Sequence, residues 1–225
     1  MKIIDDFLPE AMCRAISADV SFFPESMGDD ERIATEINSY HTEQSSCFAP
    51  YMFWKGWHYS EPKTIKQRVI KKIWENNLPF PISELCGFEY WTRTFHAGQY
   101  IAPHVDEDTF LYQDAKIFAG PKCGAIYYGP DTTAQNGGFL EIYPEPLTDF
   151  TEMALEAENI SKKLVSVDKR ERVACLPNRL VMLDAGHVIH GTTPSVTGTR
   201  NVMVINVWHK SVEPKALSLG TFFYE

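Results

Sequence analysis

A chain of 225 residues with 44% hydrophobic and 23% charged residues has the make-up of one ordinary globular domain, which excludes a disordered or fibrous polymer. A formal net charge of −9 and a pI of about 5.3 repel long nucleic acids, and the densest basic runs, 66–72 and 162–172, are interleaved with apolar or acidic residues and read as solvated faces. No stretch approaches the roughly 18 apolar residues of a membrane span, residues 1–6 lack the apolar run of a secretory leader, and five widely spaced cysteines without a CxxC motif suit reduced thiols, so the expectation is a cytoplasmic protein with neither membrane nor nucleic-acid partners.

In chain order, the first element predicted is a helix opened by Pro9, whose missing N–H costs nothing in a first turn. Leu8, Met12, Ile16 and Val20 then share one face at a four-residue step. Residues 22–60 give a poor signal, rich in Ser, Glu and aromatics, and are expected to hold loops and one or two short strands. A second helix is expected over 63–76, with Ile65, Val69, Ile70, Ile73 and Trp74 on one side and Lys and Arg on the other, stopped by Pro79 and Pro81. Residues 1–85 thus read as a mainly helical part of a single domain spanning 1–225.

From Gly87 the pattern changes to short β-type runs over 88–95, 125–128, 139–143, 172–176, 180–184 and 201–208. Turn signals separate them at Gly98, Pro130, Asn136-Gly137-Gly138, Pro177-Asn178 and Gly198. Strands at this spacing predict a sandwich or jelly roll over 86–210, mostly β with the helices packed on one face. A polar insertion follows Pro144, to about residue 163, and 211–225 forms a C-terminal extension.

The chemistry-bearing residues begin with Pro103-His104-Val105-Asp106. In a strand, residues i and i+2 point to one face, so His104 and Asp106 offer an imidazole and a carboxylate to one ion without backbone distortion. The triplet alone is equally two polar residues beside a turn. Far downstream, His190 supplies a third ligand, and two His with one carboxylate leave three coordination positions open, the arrangement that suits non-haem Fe(II). His187, three residues earlier, is its rival. Arg200 opens an alternating run whose inward set is Val202, Val204, Asn206 and Trp208, which buries the guanidinium at one end of the barrel. A buried guanidinium needs an anion, and its planar fork suits a carboxylate. Either a 2-oxo diacid or a structural Asp or Glu meets that need.

Five pieces in order carry a family resemblance over roughly 95–208. They are Phe95 to Asp106 with its Ala97-Gly98 turn, the strand Ala125-Ile126-Tyr127-Tyr128, the step Gly137-Gly138-Phe139-Leu140, the strand ending at Asp184 followed by His190, and Gly198-Thr199-Arg200. Together they resemble the prolyl 4-hydroxylase-like branch of the Fe(II)/2-oxoglutarate-dependent dioxygenases. The resemblance implies a double-stranded β-helix (a cupin-like jelly roll) with His104, Asp106 and His190 as iron ligands and Arg200 as the clamp on 2-oxoglutarate. It further implies Tyr128 as a hydroxyl on that co-substrate, O2 as oxidant and ascorbate as an optional accessory. The ten-residue spacing to Arg200 matches the family from His190, not His187. The implied activity is hydroxylation of a substrate C–H bond, in a prolyl residue of a protein or peptide or in a small molecule. Departures are Phe95 where relatives carry Tyr, Asn178 where Gly is usual, and Trp208 two residues late. Asp184 is placed as an orienting partner of a ligand histidine, and Trp54, Trp57 and Tyr59 as either core or substrate wall. A cupin-like metalloenzyme that does not use 2-oxoglutarate, and a non-catalytic jelly-roll binding module, remain alternative readings.

Overall fold

The computed structural model describes residues 1–23, 52–101, 103–108, 111–112, 115–143, 170–214 and 223–224. The insertion expected after Pro144, most of the weak region 22–60 with His41, and most of the C-terminal extension lie outside those residues.

Strand β1 (Lys2–Ile4) precedes helix α1 (Glu10–Ala18). Pro9 sits at the N-cap of α1, one position before the first turn. Leu8 and Ile16 are buried and Met12 packs against them, as the four-residue step predicts, but Val20 is 91% exposed. The reason is local: the Asp19 carboxylate accepts from the backbone N–H and hydroxyl of Ser21, turning the chain just past the helix end. Past the turn, Phe22 is fully buried.

Strand β2 (Met52–Trp54) leads to helix α2 (Ile65–Trp74). The Thr64 hydroxyl caps α2 by accepting from Gln67 N–H, while the Gln67 side chain accepts from Lys63 N–H, a close variant of the reciprocal capping box. That cap starts the helix two residues later than the 3.6-residue period suggests. Val69, Ile70, Ile73 and Trp74 are fully buried, and Lys71 and Lys72 complement the dipole in the last turn.

The remaining strands are β3 (Leu85–Phe95), β4 (Cys123–Tyr128), β5 (Leu140–Ile142), β6 (Glu171–Val173), β7 (Leu180–Leu183), β8 (His190–Thr192), β9 (Arg200–His209) and β10 (Phe223–Tyr224). They form a seven-stranded sheet in the order β1-β7-β4-β9-β3-β2-β10 and a three-stranded sheet in the order β6-β5-β8. All pairs are antiparallel except β10 with β2. The fold is a mostly β jelly roll, as expected, and the period-2 alternation of β9 explains its layering. Met203, Ile205 and Val207 join Phe88, Tyr90, Ala125 and Tyr127 under α1 and α2. Val202 faces the other way, into a core shared with Ile126, Leu140, Ile142 and Val173, which ties the two sheets together. Among the described residues no helix is long and apolar enough to cross a membrane.

β1, β8 and β10, two or three residues each, are too short to display a period and escape the pattern reading, whereas β2 falls where one or two short strands are expected. The turn at Asn178 needs a positive φ (56°), and asparagine meets that need while adding contacts a glycine lacks: its amide oxygen accepts from Leu8 N–H and the Tyr127 hydroxyl, and its nitrogen donates to Leu8 C=O. Trp54 and Trp57 pack on Phe88 beneath the helices, so the core reading holds for them, whereas Tyr59 is 71% exposed.

Candidate metal centre

Ile101 and His104 lie against β8, and among the described residues of this stretch one isolated bridge joins them to it. His104 and His190 exchange both backbone hydrogen bonds, each 2.8 Å, as an antiparallel pair. Directly opposed residues of such a pair project to the same face, and so does the residue two further on. Three side chains from distant stretches of sequence therefore converge with no strain. Asp106 Oδ1 lies 3.3 Å from His104 Nε2 and 3.8 Å from His190 Nε2, and the two imidazole centroids are 4.5 Å apart. One donor atom from each lies within 4.8 Å of the others. Ligands about 2.1 Å from one octahedral ion sit about 3 Å apart at adjacent corners, so closing this cluster on a metal needs only side-chain adjustment.

The protonation states suit ligation. His190 Nδ1 donates to Val188 C=O at 2.9 Å, which leaves Nε2 with its lone pair toward the cluster. Burial pushes its pKa down to about 4, the neighbouring His104 adds to that, and Asp106 opposes it. For Asp106, burial would raise the pKa, but the His104 hydrogen bond, the charges of His190 and His104, and the Asn206 amide together hold it below the ordinary carboxylate value. A neutral imidazole and an ionised carboxylate are the forms that bind a metal.

Close approach of segment 101–106 to β8 depends on Gly191. A Cβ there would meet Pro103 N at 2.9 Å and Ile101 O at 3.0 Å, both backbone atoms that cannot swing aside. Gly191→Ala is expected to cost about 1–3 kcal/mol of stability. It should also weaken metal binding, because the push moves the backbone carrying His104; a metal titration alongside a denaturant melt separates the two effects.

Arg200 pairs across the β3–β9 ladder with Phe95, which lines the cavity, and is 2% exposed. Its Nη1 donates to Gly138 C=O (3.2 Å) and Thr193 C=O (3.4 Å), Nη2 donates to the Thr192 hydroxyl (3.1 Å), and the guanidinium lies 4.5 Å from the Phe95 ring centroid. Nε has no partner, and among the described residues no carboxylate pairs with this cation. The Tyr128 hydroxyl, equally buried, also lacks a partner and interacts electrostatically with Arg200. Burial opposes the charged form of both, lowering the Arg200 pKa and raising that of Tyr128. A buried cation and a buried hydroxyl, each with an orphaned N–H or O–H, fit an anion of small size. Phe95, Thr192, His104, Asp106 and His190 all line the intervening cavity. The donor set and the orphaned groups thus fit Fe(II) and a dicarboxylate such as 2-oxoglutarate.

Among the described residues, His187 and His209 stay apart from the cluster. His187 Nδ1 lies 2.8 Å from Asp184 Oδ1 with its side chain 42% exposed. The orienting role expected of Asp184 therefore falls on His187, and the ligand candidate His190 is oriented by a backbone carbonyl instead, because Asp184 projects outward at the turn. His209 is held by Glu84 and Ser211.

Glu89 is a neighbour that pattern reading passes over, although it shares the inner face of β3 with Trp91, Arg93 and Phe95. Trp208 Nε1 donates to its Oε2 at 3.0 Å and Asn206 Nδ2 at 3.5 Å. Burial drives its pKa up to about 7, with the Asp106 and Asp108 charges adding to the rise and the two donors opposing it. A carboxyl whose folded pKa exceeds its unfolded value stabilises the fold below about pH 4.5, and that contribution is lost as pH rises through 7. Between pH 5 and pH 8 the metal-free protein is therefore expected to lose about 3 kcal/mol relative to Glu89→Gln, on the order set by the shift. Parallel pH profiles of chemical denaturation in EDTA would show the two proteins diverging over that window; parallel curves would contradict it.

Comparison with known proteins gives structural likeness only. No protein-family model matches the chain, and no curated protein is similar to it in sequence. A prolyl-4-hydroxylase from Pseudomonas putida superposes with a TM-score of 0.51 at 14% identity, covering 92% of this chain and 91% of its own. A prolyl 4-hydroxylase from Phytophthora capsici (TM-score 0.49, 13% identity, 96% of this chain and 64% of that one) is also similar. So is a Trichoplax adhaerens prolyl hydroxylase solved with a hypoxia inducible factor peptide (TM-score 0.49, 14% identity, 96% and 86%). The chain thus shares the jelly-roll fold of the Pseudomonas putida prolyl-4-hydroxylase.

Proposed function

We propose that this protein is an Fe(II)- and 2-oxoglutarate-dependent dioxygenase that hydroxylates a C–H bond of its substrate. The observation that carries the reading is an open His104–Asp106–His190 cluster on a cavity whose lining residues Phe95 and Thr192 contact Arg200, a buried guanidinium with no described carboxylate partner, near the partnerless Tyr128 hydroxyl. When bound, the iron and its co-substrate supply the oxidising power, with 2-oxoglutarate decarboxylated to succinate and one oxygen atom of O2 inserted into the substrate.

The chain's own residues do the rest. His104, Asp106 and His190 hold the ion from one side and leave the cavity side free for ligands. Arg200 receives the distal carboxylate on its guanidinium edge, with Nε and the Tyr128 hydroxyl as the donors that lack partners at present. Phe95, Ile126, Leu140 and Val204 keep the intervening wall apolar, which excludes water and strengthens each polar contact inside. Phe95 contributes a ring face to Arg200 instead of a hydroxyl. The substrate class carried over from the Pseudomonas putida neighbour is a prolyl residue in a protein or peptide, with free amino acids and other small molecules as the alternatives.

The test is differential scanning fluorimetry with Mn(II), then with 2-oxoglutarate added, followed by succinate release under Fe(II) and air. Stabilisation by both, with succinate formed, is the expected result. Metal stabilisation without any response to 2-oxoglutarate favours a cupin-like enzyme of other chemistry. Response to both without succinate, across proline-containing peptides and free amino acids, favours a binding module.

A further inference from the structure

We propose that Trp91 and Arg93 form the substrate wall of the cavity, and that the substrate presents a carboxylate to Arg93, either that of a free amino acid or an acidic side chain of a peptide; this rests on the iron and 2-oxoglutarate reading above and names a substrate class for the same site. The inner face of β3 carries Glu89, Trp91, Arg93 and Phe95 at alternate positions. Trp91 and Arg93 are half-buried and line the cavity together with His104, Asp106 and His190, whereas Phe95 is buried. Trp54 and Trp57 pack in the core, so the aromatic side of such a wall falls to Trp91.

The register sets Arg93 beside the metal centre and not at the Arg200 end. Arg200 touches both the Phe95 ring and the Thr192 hydroxyl, which fixes those three at one level. One two-residue step along β3 leads from Phe95 to Arg93, and one along β8 leads from Thr192 to His190, each about 7 Å. Both steps lead to residues that line the cavity, so Arg93 stands at the level of the candidate ligand His190. A group held by Arg93 is therefore held next to the ion, where the reacting carbon must lie. Glu89 is two steps further along the same face, and its Oε2 is engaged by Trp208 Nε1 and Asn206 Nδ2.

The charges favour an anion at Arg93. Fe(II) and Arg200 would bring three positive charges, and Asp106 with a 2-oxoglutarate dianion three negative ones, so that set is neutral by itself. Arg93 adds a positive charge to it. Apart from the three candidate ligands, Arg93 is the charged side chain among the described residues of the lining, which is otherwise mostly apolar. Its guanidinium lies 5.1 Å from the Phe95 ring centroid, and Val202 stands opposite it across the ladder. A leucine would pack against both with no charge to desolvate. What the arginine adds is a planar fork of donors suited to a carboxylate. The five N–H groups of a guanidinium can serve the protein and a ligand together, as in Arg200, where three acceptors still leave Nε over.

The test is titration of the protein loaded with Mn(II) and 2-oxoglutarate with matched probes. These are each free L-amino acid against its amide, and N-acetyl-prolyl-aspartyl amide against its asparaginyl counterpart. At least one carboxylate probe is expected to bind about 10–100-fold more tightly than its amide partner, and the pair that shows it identifies the source. Arg93→Gln should erase that preference and leave the stabilisation by 2-oxoglutarate, measured without substrate, at its wild-type size. Trp91→Ala should weaken both members of the pair alike. Equal binding within every pair, no binding by any carboxylate probe, or a preference that survives in Arg93→Gln overturns the proposal. So does loss of the 2-oxoglutarate response in Arg93→Gln, which would make Arg93 part of the co-substrate site. If Arg93→Gln does not fold, Arg93→Lys is read in its place: it keeps a charge without the fork, should lose about 3–10-fold of the preference, and overturns the proposal if the preference is undiminished. A wild-type chain that responds to neither Mn(II) nor 2-oxoglutarate sinks the enzyme reading and this proposal together, whereas a full response to both without any carboxylate preference sinks this proposal alone.

Discussion

Replacing Arg200 with Met is expected to remove 2-oxoglutarate binding while leaving metal binding nearly intact. The guanidinium sits 2% exposed with one N–H unused and no carboxylate beside it among the described residues. It is a charge held out of water in advance of its partner. Loss of a charge-assisted pair in such a place is worth about 2–5 kcal/mol, or about 30- to several-thousand-fold in affinity. The measurement is the extra thermal stabilisation that 2-oxoglutarate gives over Mn(II) alone, together with the Km for 2-oxoglutarate in succinate release. Methionine fills most of the volume and needs no anion, so the metal-free fold should not suffer. Arg200→Lys should fall between, because a point charge cannot reproduce the fork. Tyr128→Phe removes one neutral donor and is expected to cost about tenfold or less. An Arg200→Met protein that still responds fully to 2-oxoglutarate would exclude the co-substrate site as drawn.

Asp106→Ala carries the other large effect. The three candidate ligands come from β8 and the irregular segment 103–106, joined by an isolated bridge, and the carboxylate supplies the only negative charge in the set. Without it, two neutral imidazoles remain, which hold a divalent ion poorly. At a Mn(II) concentration one hundred times the wild-type Kd, the native protein gains about 2.7 kcal/mol from binding, and the variant should gain essentially none. Succinate release should fall to background. His187→Ala is the control, since that ring is paired with Asp184 outside the cluster and its loss should leave the Mn(II) response unchanged. A Mn(II) response that survives in Asp106→Ala and vanishes in His187→Ala would reverse the assignment of ligands.

How much of this was legible in the chain follows the physics of each feature. Helix α2 announced itself through five apolar residues at a helical period, and only its ends were misjudged, because the Thr64–Gln67 cap depends on two side chains and not on periodicity. Long strands such as β3 and β9 showed their alternation. The candidate centre was legible because its parts are residue types with few structural uses at fixed spacings: His104 and Asp106 at i and i+2, and His190 ten residues before Arg200.

Other features had no linear trace. β8 is three residues long, and its pairing with Ile101 and His104 joins positions nearly ninety apart. The choice between His190 and His187 rested on a family spacing, whereas in the fold a turn sends His187 outward to Asp184 and a cross-strand bridge sends His190 inward. Glu89 looked like one acidic residue in a β-type run until β9 set Asn206 opposite it and Trp208 within reach.

By itself the sequence determined the local preferences of this protein: which runs could be strand or helix, which side of each strand is apolar, and which residues have metal-binding chemistry. Only the tertiary structure decided which of those residues meet. Local preferences depend on near neighbours along the chain, while a candidate metal centre, a buried guanidinium with no described carboxylate partner and a buried carboxyl facing an asparagine are properties of strand register, where a shift of one residue would turn every one of those side chains to the opposite face.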